Sequence, residues 1–226
     1  MENVLYLASV WVIPALTAIT LHEAAHGYAA EVFGDDTARR LGRVSMNPLR
    51  HVDPFGTILL PALLLLTRAP FLFGYAKPVP VNFGRLKNPR RDMVFVAAAG
   101  PAMNLVLALL AAFLYHGIDW FPPRVATWLG HNLANAVTLN VILAVFNMLP
   151  IPPLDGGRVA VGLLPTALAV QLARLERVGI LIVLGALFLL PMLGDMVGLD
   201  LNVFAWLVGI PADAVIDLII RAAGHG

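Results

Sequence analysis

Long apolar runs are the feature that most constrains the fold of this chain. They cover residues 4–30, 57–73, 93–115, 132–149, 178–193 and about 201–220. A helix rises about 1.5 Å per residue and the hydrocarbon core of a bilayer is about 30 Å thick, so roughly 20 apolar residues can cross it. Charged residues make up 13% of the chain, against roughly 25% in soluble domains. The sequence therefore predicts an all-α, multi-span membrane protein with five to six transmembrane helices in a lipid bilayer.

The second run, residues 57–73, is the least like a transmembrane helix. Its uninterrupted part, residues 57–67, contains Pro61 and would be about 16 Å long as a helix, half of a bilayer. Arg68 and Pro70 follow directly. We therefore expect a re-entrant or extended element between the first two core helices, which enters and leaves on the same side. A short, tilted sixth span is the alternative.

The Lys and Arg residues favour re-entrance, because cytoplasmic loops carry an excess of these residues. A re-entrant second run places nearly all of them on one side, with Arg124 as the exception, whereas a sixth span leaves no clear bias. The resulting topology has an outside N-terminus, five full spans and an inside C-terminus. The first Lys or Arg is Arg39, so the positive region of a signal peptide is missing and we expect the first run to stay in the protein.

Charge and cysteine content exclude two kinds of function. The net charge is +1 and no basic tract occurs, so we expect no nucleic-acid partner. The chain has no cysteine, which excludes disulfides and any thiolate metal site. A metal site in this chain must therefore use histidine and carboxylate ligands.

The first run ends in the stretch TLHEAAHGYAAEVFG, which contains the pattern H-E-x-x-H as His22, Glu23 and His26. On a helix, positions i and i+4 share one face, about 6 Å apart along the axis. Two imidazoles at that spacing can bind one zinc ion, and Glu23 can act as general base on a zinc-activated water. A pair of interfacial histidines at a helix end is the alternative. A glutamate inside a membrane is costly and usually functional, which favours the metal site.

Asp155 is the candidate for a third metal ligand, since a catalytic zinc ion normally has three protein ligands and one open position. It follows the fourth run in the stretch NMLPIPPLDGGR. The prolines cannot continue a helix, and irregular backbone at membrane depth must be buried in protein or line a cavity. In the re-entrant topology, Asp155 arrives at the membrane face that carries both histidines. An ordinary exit turn with a helix-capping aspartate is the alternative.

With these motifs, the chain resembles the site-2 protease family of intramembrane zinc metalloproteases. That family pairs H-E-x-x-H on one membrane helix with N-x-x-P-x-P-x-L-D-G on another, and Asn147, Pro150, Pro152 and Asp155 match the second motif. The stretches GRVSMNPLRHVDPFGTILLP, GYAKPVPVN and AAAGPAMN are also similar to the family. The resemblance covers about residues 15–160. It implies a protease core at residues 1–160 and C-terminal transmembrane helices at residues 161–226, a minimal form without a PDZ or CBS domain.

The resemblance implies a zinc-dependent intramembrane endopeptidase, which cleaves peptide bonds in or near transmembrane segments of membrane protein substrates. One Zn²⁺ per chain would be held by His22, His26 and Asp155. Glu23 would be the general base, and Asn147 would bind substrate. Asn104, in the match to Gly-Pro-x-x-Asn, is a weaker candidate for substrate contact, with helix–helix hydrogen bonding as the alternative. Residues 73–82 could form an extended edge that pairs with unwound substrate, or a plain loop.

Two functions of other classes remain: a membrane metal transporter, and a catalytically idle scaffold that binds membrane partners. Apart from Glu23 and Asp155, ionisable residues lie mainly at the ends of the runs, which disfavours a polar path for ions. The intact Glu23 disfavours the scaffold. We expect an integral protein of the plasma membrane with its active site near the cytoplasmic side. Its expected partner is a membrane protein with a transmembrane segment, and no feature of the sequence indicates an oligomeric state.

Overall fold

The protein is all-α, as the sequence predicts, in the part of the chain that the structure describes. This computed structural model describes residues 4–59, 63, 66 and 76–225. The α-helices are α1 (Val4–Val32), α2 (Thr37–Arg40), α3 (Pro89–Leu114), α4 (Pro123–Asn147), α5 (Asp155–Leu163), α6 (Thr166–Arg174), α7 (Glu176–Leu184), α8 (Leu190–Val197) and α9 (Ile210–Ala222). Short 3₁₀ segments occur at Pro48–Arg50, Phe83–Arg85 and Tyr115–Trp120. Wider π turns occur at Pro54–Leu59, Gly185–Leu189 and Ala205–Gly209.

Four helical stretches among the described residues are long and apolar enough to cross a membrane. They are Leu5–Val32, Pro89–Trp120, Pro123–Asn147 and Glu176–Val197. They correspond to the first, third, fourth and fifth apolar runs. The last run forms the π turn at Ala205–Gly209 and α9, which also carries Asp213, Asp217 and Arg221. The four apolar stretches make this an integral membrane protein.

Three long helices form the core that carries the candidate site. α3 packs against α1, α4 and α5, and α1 also contacts α4. Their contact faces consist largely of small residues: Ala18, Ala24, Ala108, Ala112 and Ala144 are nearly inaccessible to solvent. Small side chains let helix backbones approach closely, which is how helices associate where lipid removes the hydrophobic driving force.

The C-terminal end of the chain lies at the opposite end of the bundle from the place that the sequence predicts. The His225 ring stacks on His116 at the end of α3, with 3.9 Å between ring centroids, and its Nε2 donates a hydrogen bond to the Ala112 carbonyl at 2.8 Å. Tyr6, which contacts His131, and His225 therefore lie at the same end of the bundle, so the prediction of an outside N-terminus together with an inside C-terminus is wrong. That prediction treated the first run and every run after the second as a full crossing that reverses direction. Instead the apolar face of α9, with Ala212 and Ile219, packs on α3 and α4 and fixes its direction.

The path of residues 57–73 lies largely outside the described residues, but the segments that flank it meet. The Lys77 N–H donates a hydrogen bond to the His51 carbonyl at 2.9 Å. The Arg43 guanidinium donates to the Lys77 carbonyl at 2.6 Å. Residues 51 and 77 are therefore neighbours, so the chain between them starts and ends at one place.

Candidate metal centre and active site

Helix α1 brings two histidines onto one face. His22 and His26 are one turn apart, and both are buried within the bundle. Their ring centroids are 4.7 Å apart with the ring planes nearly perpendicular, and their Nε2 atoms are 3.1 Å apart. The spacing predicted from the H-E-x-x-H pattern is therefore present, with both Nε2 atoms directed at one point.

Helix α5 begins at Asp155 and supplies a carboxylate to the same point. The Asp155 Oδ2 atom lies 3.2 Å from the His22 Nε2 and 3.3 Å from the His26 Nε2. The first turn of α5 needs its two glycines. A Cβ at Gly156 would overlap the backbone of Met148, and a Cβ at Gly157 would overlap the backbone at Ile151 and Pro152. The glycines thus let α5 start directly against the end of α4.

The three donor atoms have the dimensions of one face of a zinc tetrahedron. Zn–N and Zn–O bonds of about 2.0–2.1 Å place tetrahedral ligands about 3.3 Å apart, and the three separations here are 3.1, 3.2 and 3.3 Å. Among the described residues, His22, His26 and Asp155 are the group of three that could hold a metal ion, and all three are buried. Two imidazoles and one carboxylate are also the donor set of catalytic zinc sites, so these residues fit zinc with a fourth position open.

Helix α3 orients both imidazoles from behind. The Val96 carbonyl accepts a hydrogen bond from the His26 Nδ1 at 2.7 Å, and the Asn104 Oδ1 accepts one from the His22 Nδ1 at 2.5 Å. Gly100 lies between these two positions, and a Cβ there would overlap both imidazoles. Bonding each Nδ1–H in this way fixes the tautomer that leaves Nε2 free to bind a metal ion.

The contacts of Asn104 favour the alternative that the sequence left open, a helix–helix hydrogen bond, over a contact with substrate. Asn104 is fully buried, and its Nδ2 donates to the Asn140 Oδ1 at 2.8 Å and to the Ala18 carbonyl at 3.3 Å. Its amide lies behind the imidazoles and joins α1, α3 and α4. Sequence reasoning missed Asn140, although a polar residue in the middle of an apolar run was a signal.

Glu23 and Asn147 both line a cavity in front of the three candidate ligands. The cavity has a volume of about 350 Å³. The Glu23 Oε2 accepts a hydrogen bond of 2.7 Å from the Val79 N–H, which holds the carboxylate at the cavity wall. The Asn147 Nδ2 donates to the Leu143 carbonyl at 3.0 Å. Within the described residues, the Asn147 Oδ1 accepts no hydrogen bond, so it is available to a group in the cavity.

The chain after residue 75 forms the second wall of this cavity. Residues 76–82 form no helix or strand, and Val79 is buried. Asp35 anchors this wall: its Oδ2 accepts a hydrogen bond from the Asn82 N–H at 2.6 Å, and its Oδ1 accepts one from the Thr37 N–H at 3.0 Å. Burial raises the pKa of Asp35, but the hydrogen bonds from Thr37 and Asn82 more than offset this and hold it below its ordinary value.

Comparison with known proteins gives one family. The model of the family described as Peptidase family M50 matches residues 124–192. A Bacillus subtilis protein named "Putative zinc metalloprotease YwhC" is 39% identical over 186 residues, which are 80% of this chain and 80% of that protein. "Putative zinc metalloprotease Rip2" of Mycolicibacterium smegmatis is 34% identical over 141 residues, 62% of this chain and 52% of that protein. No solved structure matches the chain.

Proposed function

Because the chain belongs to peptidase family M50, the site-2 protease family, we propose that it cleaves peptide bonds in or near the transmembrane segments of other membrane proteins. As a member of that family it is a zinc metallopeptidase and a membrane protein, and the transporter and scaffold alternatives are set aside. One observation carries the intramembrane part. His22 lies ten residues before the end of α1, about 15 Å along a helix that is apolar enough to span. This position supports chemistry at membrane depth.

We propose His22, His26 and Asp155 as the zinc ligands and Glu23 as the general base. When bound, zinc supplies Lewis acidity that lowers the pKa of water to about 7 and stabilises developing negative charge. The Glu23 carboxylate takes the proton of the attacking water and delivers it to the leaving amine. The Val79 N–H holds that carboxylate in place through the Oε2 atom.

Asn147 is proposed to hold the substrate backbone. Its Nδ2 is engaged by the Leu143 carbonyl, and its Oδ1 can accept a hydrogen bond from a substrate N–H in the cavity. Such a contact aligns the peptide bond with the ligand group without taking part in proton transfer. Orientation of this kind lowers the entropic part of the barrier.

A helical substrate hides its peptide bonds in internal hydrogen bonds, and a buried zinc site can act only on a peptide bond that is freed from them. The substrate must therefore enter locally unwound, as a few extended residues. Helix-breaking residues near the cleaved bond reduce the cost of unwinding, so we propose that substrates carry them there.

The cytoplasmic side of the plasma membrane is the proposed location of the site. Four arginines follow the end of α1 that carries the histidines: Arg39, Arg40, Arg43 and Arg50. Cytoplasmic loops are enriched in Lys and Arg, so this end of the bundle faces the cytoplasm. Water can then reach the cavity from that side, as hydrolysis requires.

Comparison of membrane proteomes tests the proposal. Cells that carry Glu23→Gln should accumulate membrane-anchored fragments that cells with the wild-type protein remove. Glu31→Gln is the matched control, because Glu31 lies on the same helix but pairs with Arg39 outside the cavity. Equal fragment levels in wild-type and Glu23→Gln membranes would contradict intramembrane cleavage.

A further inference from the structure

The guanidinium group of Arg158 lies in the wall of the cavity and has N–H groups that bond no other described residue. Arg158 lies on α5, one turn after Asp155, and lines the same cavity. Its guanidinium is centred 5.6 Å over the Phe83 ring, which also lines the cavity. The Glu176 carboxylate is 3.7 Å away, beyond hydrogen-bond distance. Within the described residues, the guanidinium donates no hydrogen bond.

Arg158 is the only Lys or Arg among the described residues that line this cavity. The guanidinium lies near the Phe83 ring and donates no hydrogen bond among the described residues, which leaves its planar edge of N–H donors available. Such an edge matches a carboxylate with two parallel hydrogen bonds. The side chain is 38% exposed, so bulk water screens it only in part.

We propose that Arg158 selects substrates by binding an acidic side chain, Asp or Glu, in the residues that flank the cleaved bond on the cytoplasmic side. The inference rests on the proposed function. Membrane proteins usually carry Lys or Arg on that flank, and Arg158 repels those groups. It therefore favours the minority of segments with an acidic flank, which combines attraction to one class with repulsion of another.

A purely structural role for Arg158 predicts a different result. The Arg158–Glu176 pair could simply tie α5 to α7, and Glu176→Gln removes that pair while leaving the guanidinium in the cavity. If Arg158 binds an acidic residue of the substrate, Glu176→Gln keeps the preference for acidic flanks. If Arg158 only ties the helices, Glu176→Gln and Arg158→Gln behave alike.

The experiment uses the purified full-length protein loaded with zinc and a pool of synthetic single-span peptides. Each peptide has a helix-breaking pair within the span and one varied residue on the flank: Asp, Glu, Asn, Gln, Lys or Arg. Mass spectrometry of the cut products gives the relative kcat/KM for each flank. We expect wild type and Glu176→Gln to prefer Asp and Glu over Asn and Gln by about tenfold, the effect of one charged hydrogen-bond pair. Arg158→Gln should cut both classes equally, and Arg158→Glu should prefer Lys and Arg.

Three outcomes overturn the inference. One is a wild-type enzyme without preference for acidic flanks, and another is a preference that persists in Arg158→Gln. In the third, Arg158→Gln keeps the wild-type flank preference and changes only the inhibition by products with a free C-terminal carboxylate. That result would assign Arg158 to product binding. A wild-type enzyme that cuts no peptide in the pool, whatever its flank, counts against the proposed function itself. Zinc content of each variant verifies that Arg158 substitutions leave the ligand group intact.

Discussion

Residues that do not contact the proposed metal fix the orientation of its ligands. The His22 imidazole is held by Asn104, and Asn104 is held in turn by Asn140 on the neighbouring helix. Without the Asn140 oxygen, only the longer bond to the Ala18 carbonyl holds the Asn104 Nδ2, so the Asn104 amide can rotate and release the imidazole. Partners of this kind typically affect metal affinity by 10–100-fold.

Asn140→Leu should therefore weaken zinc binding by about tenfold or more. Competition with a chromophoric chelator measures the change directly and needs no substrate. Asn135→Leu is the control, because Asn135 also joins α4 to α1, through the Val10 carbonyl, but lies away from the ligands. Equal zinc affinity in the two variants would show that the Asn140 contact has no influence on the metal.

Glu23→Gln separates the general base from the ligands. Glutamine has nearly the same shape and can remain at the cavity wall, so zinc content and affinity should stay near the wild-type values. Peptide cleavage should fall by at least about 100-fold, as for loss of a general base. Zinc analysis and a cleavage assay on the same purified sample test both parts. Cleavage near the wild-type rate in Glu23→Gln would refute the assignment of the base.

The residues nearest to the proposed chemistry could be read from the sequence because their spacing is local. His22 and His26 meet because one helical turn separates them, and Asp155 was identified by the proline-rich stretch before it. The contacts of Val96, Asn104 and Asn140 depend on how α3 and α4 pack across the bundle. Periodicity within one segment carries no information about that packing, so the sequence could not decide between a substrate contact and a helix–helix hydrogen bond for Asn104, and it missed Asn140.

At the level of helices, the approach of α3 to α1 is set by Gly100. The glycine lets the two backbones lie so close that the imidazoles of α1 fit against α3. A methyl group there must displace both rings or push the helices apart. Overpacking of this kind costs about 1–3 kcal/mol.

Gly100→Ala is therefore expected to lose stoichiometric zinc and to lower the free energy of unfolding by about 1–3 kcal/mol. Metal analysis and thermal unfolding in detergent measure the two effects. Gly130→Ala on α4 is the control, since a Cβ there meets its nearest neighbours at ordinary contact distances of 3.6 Å and more. Full zinc content in Gly100→Ala would mean that the rings have room to move aside.

The wall at residues 76–82 is joined to the end of α1 by one buried carboxylate, and this link depends on pH. The pKa of Asp35 is held below its ordinary value in the folded protein, so its contribution is full above the unfolded pKa, about 3.9. It is lost as pH falls through the lower folded pKa. Asp35→Asn should destabilise the protein by roughly 1–3 kcal/mol at pH 7, and the difference should shrink below about pH 4. Thermal unfolding of both proteins across this range measures it, and a difference that stays constant with pH would contradict the charge-based explanation.

At the scale of the whole molecule, composition and run length were sufficient for the fold class and for most of the apolar helices. They were insufficient for the direction of α9. The charged residues Asp213, Asp217 and Arg221 make this run weaker than the other apolar runs, and its orientation follows from contacts with α3 and α4. The predicted topology rested on the apolar runs and on the Lys and Arg residues in the loops, neither of which contains the packing of α9. For that reason it put the C-terminus at the wrong end of the bundle.

The last prediction concerns how the whole chain is threaded through the membrane. The hydrogen bond between the Lys77 N–H and the His51 carbonyl brings together the two ends of the segment that contains residues 57–73. A segment whose ends meet at one face of the membrane cannot finish on the other, so we expect residues 46 and 88 on the same, cytoplasmic side. The rings of His116 and His225 stack and hold the end of α9 beside the end of α3, so we expect the end of α9 on the opposite side.

Single cysteines are clean probes of this arrangement, because the chain has no native cysteine. Four exposed positions outside the proposed catalytic groups are suitable for the probes: Met46, Asn88, Asp119 and Ala222. An impermeant thiol reagent applied to intact cells should label Asp119→Cys and Ala222→Cys, but not Met46→Cys or Asn88→Cys. Labelling of all four after permeabilisation is the control for access. If Asn88→Cys is labelled from outside and Met46→Cys is not, residues 57–73 cross the membrane. If Ala222→Cys stays unlabelled in intact cells, α9 runs the other way.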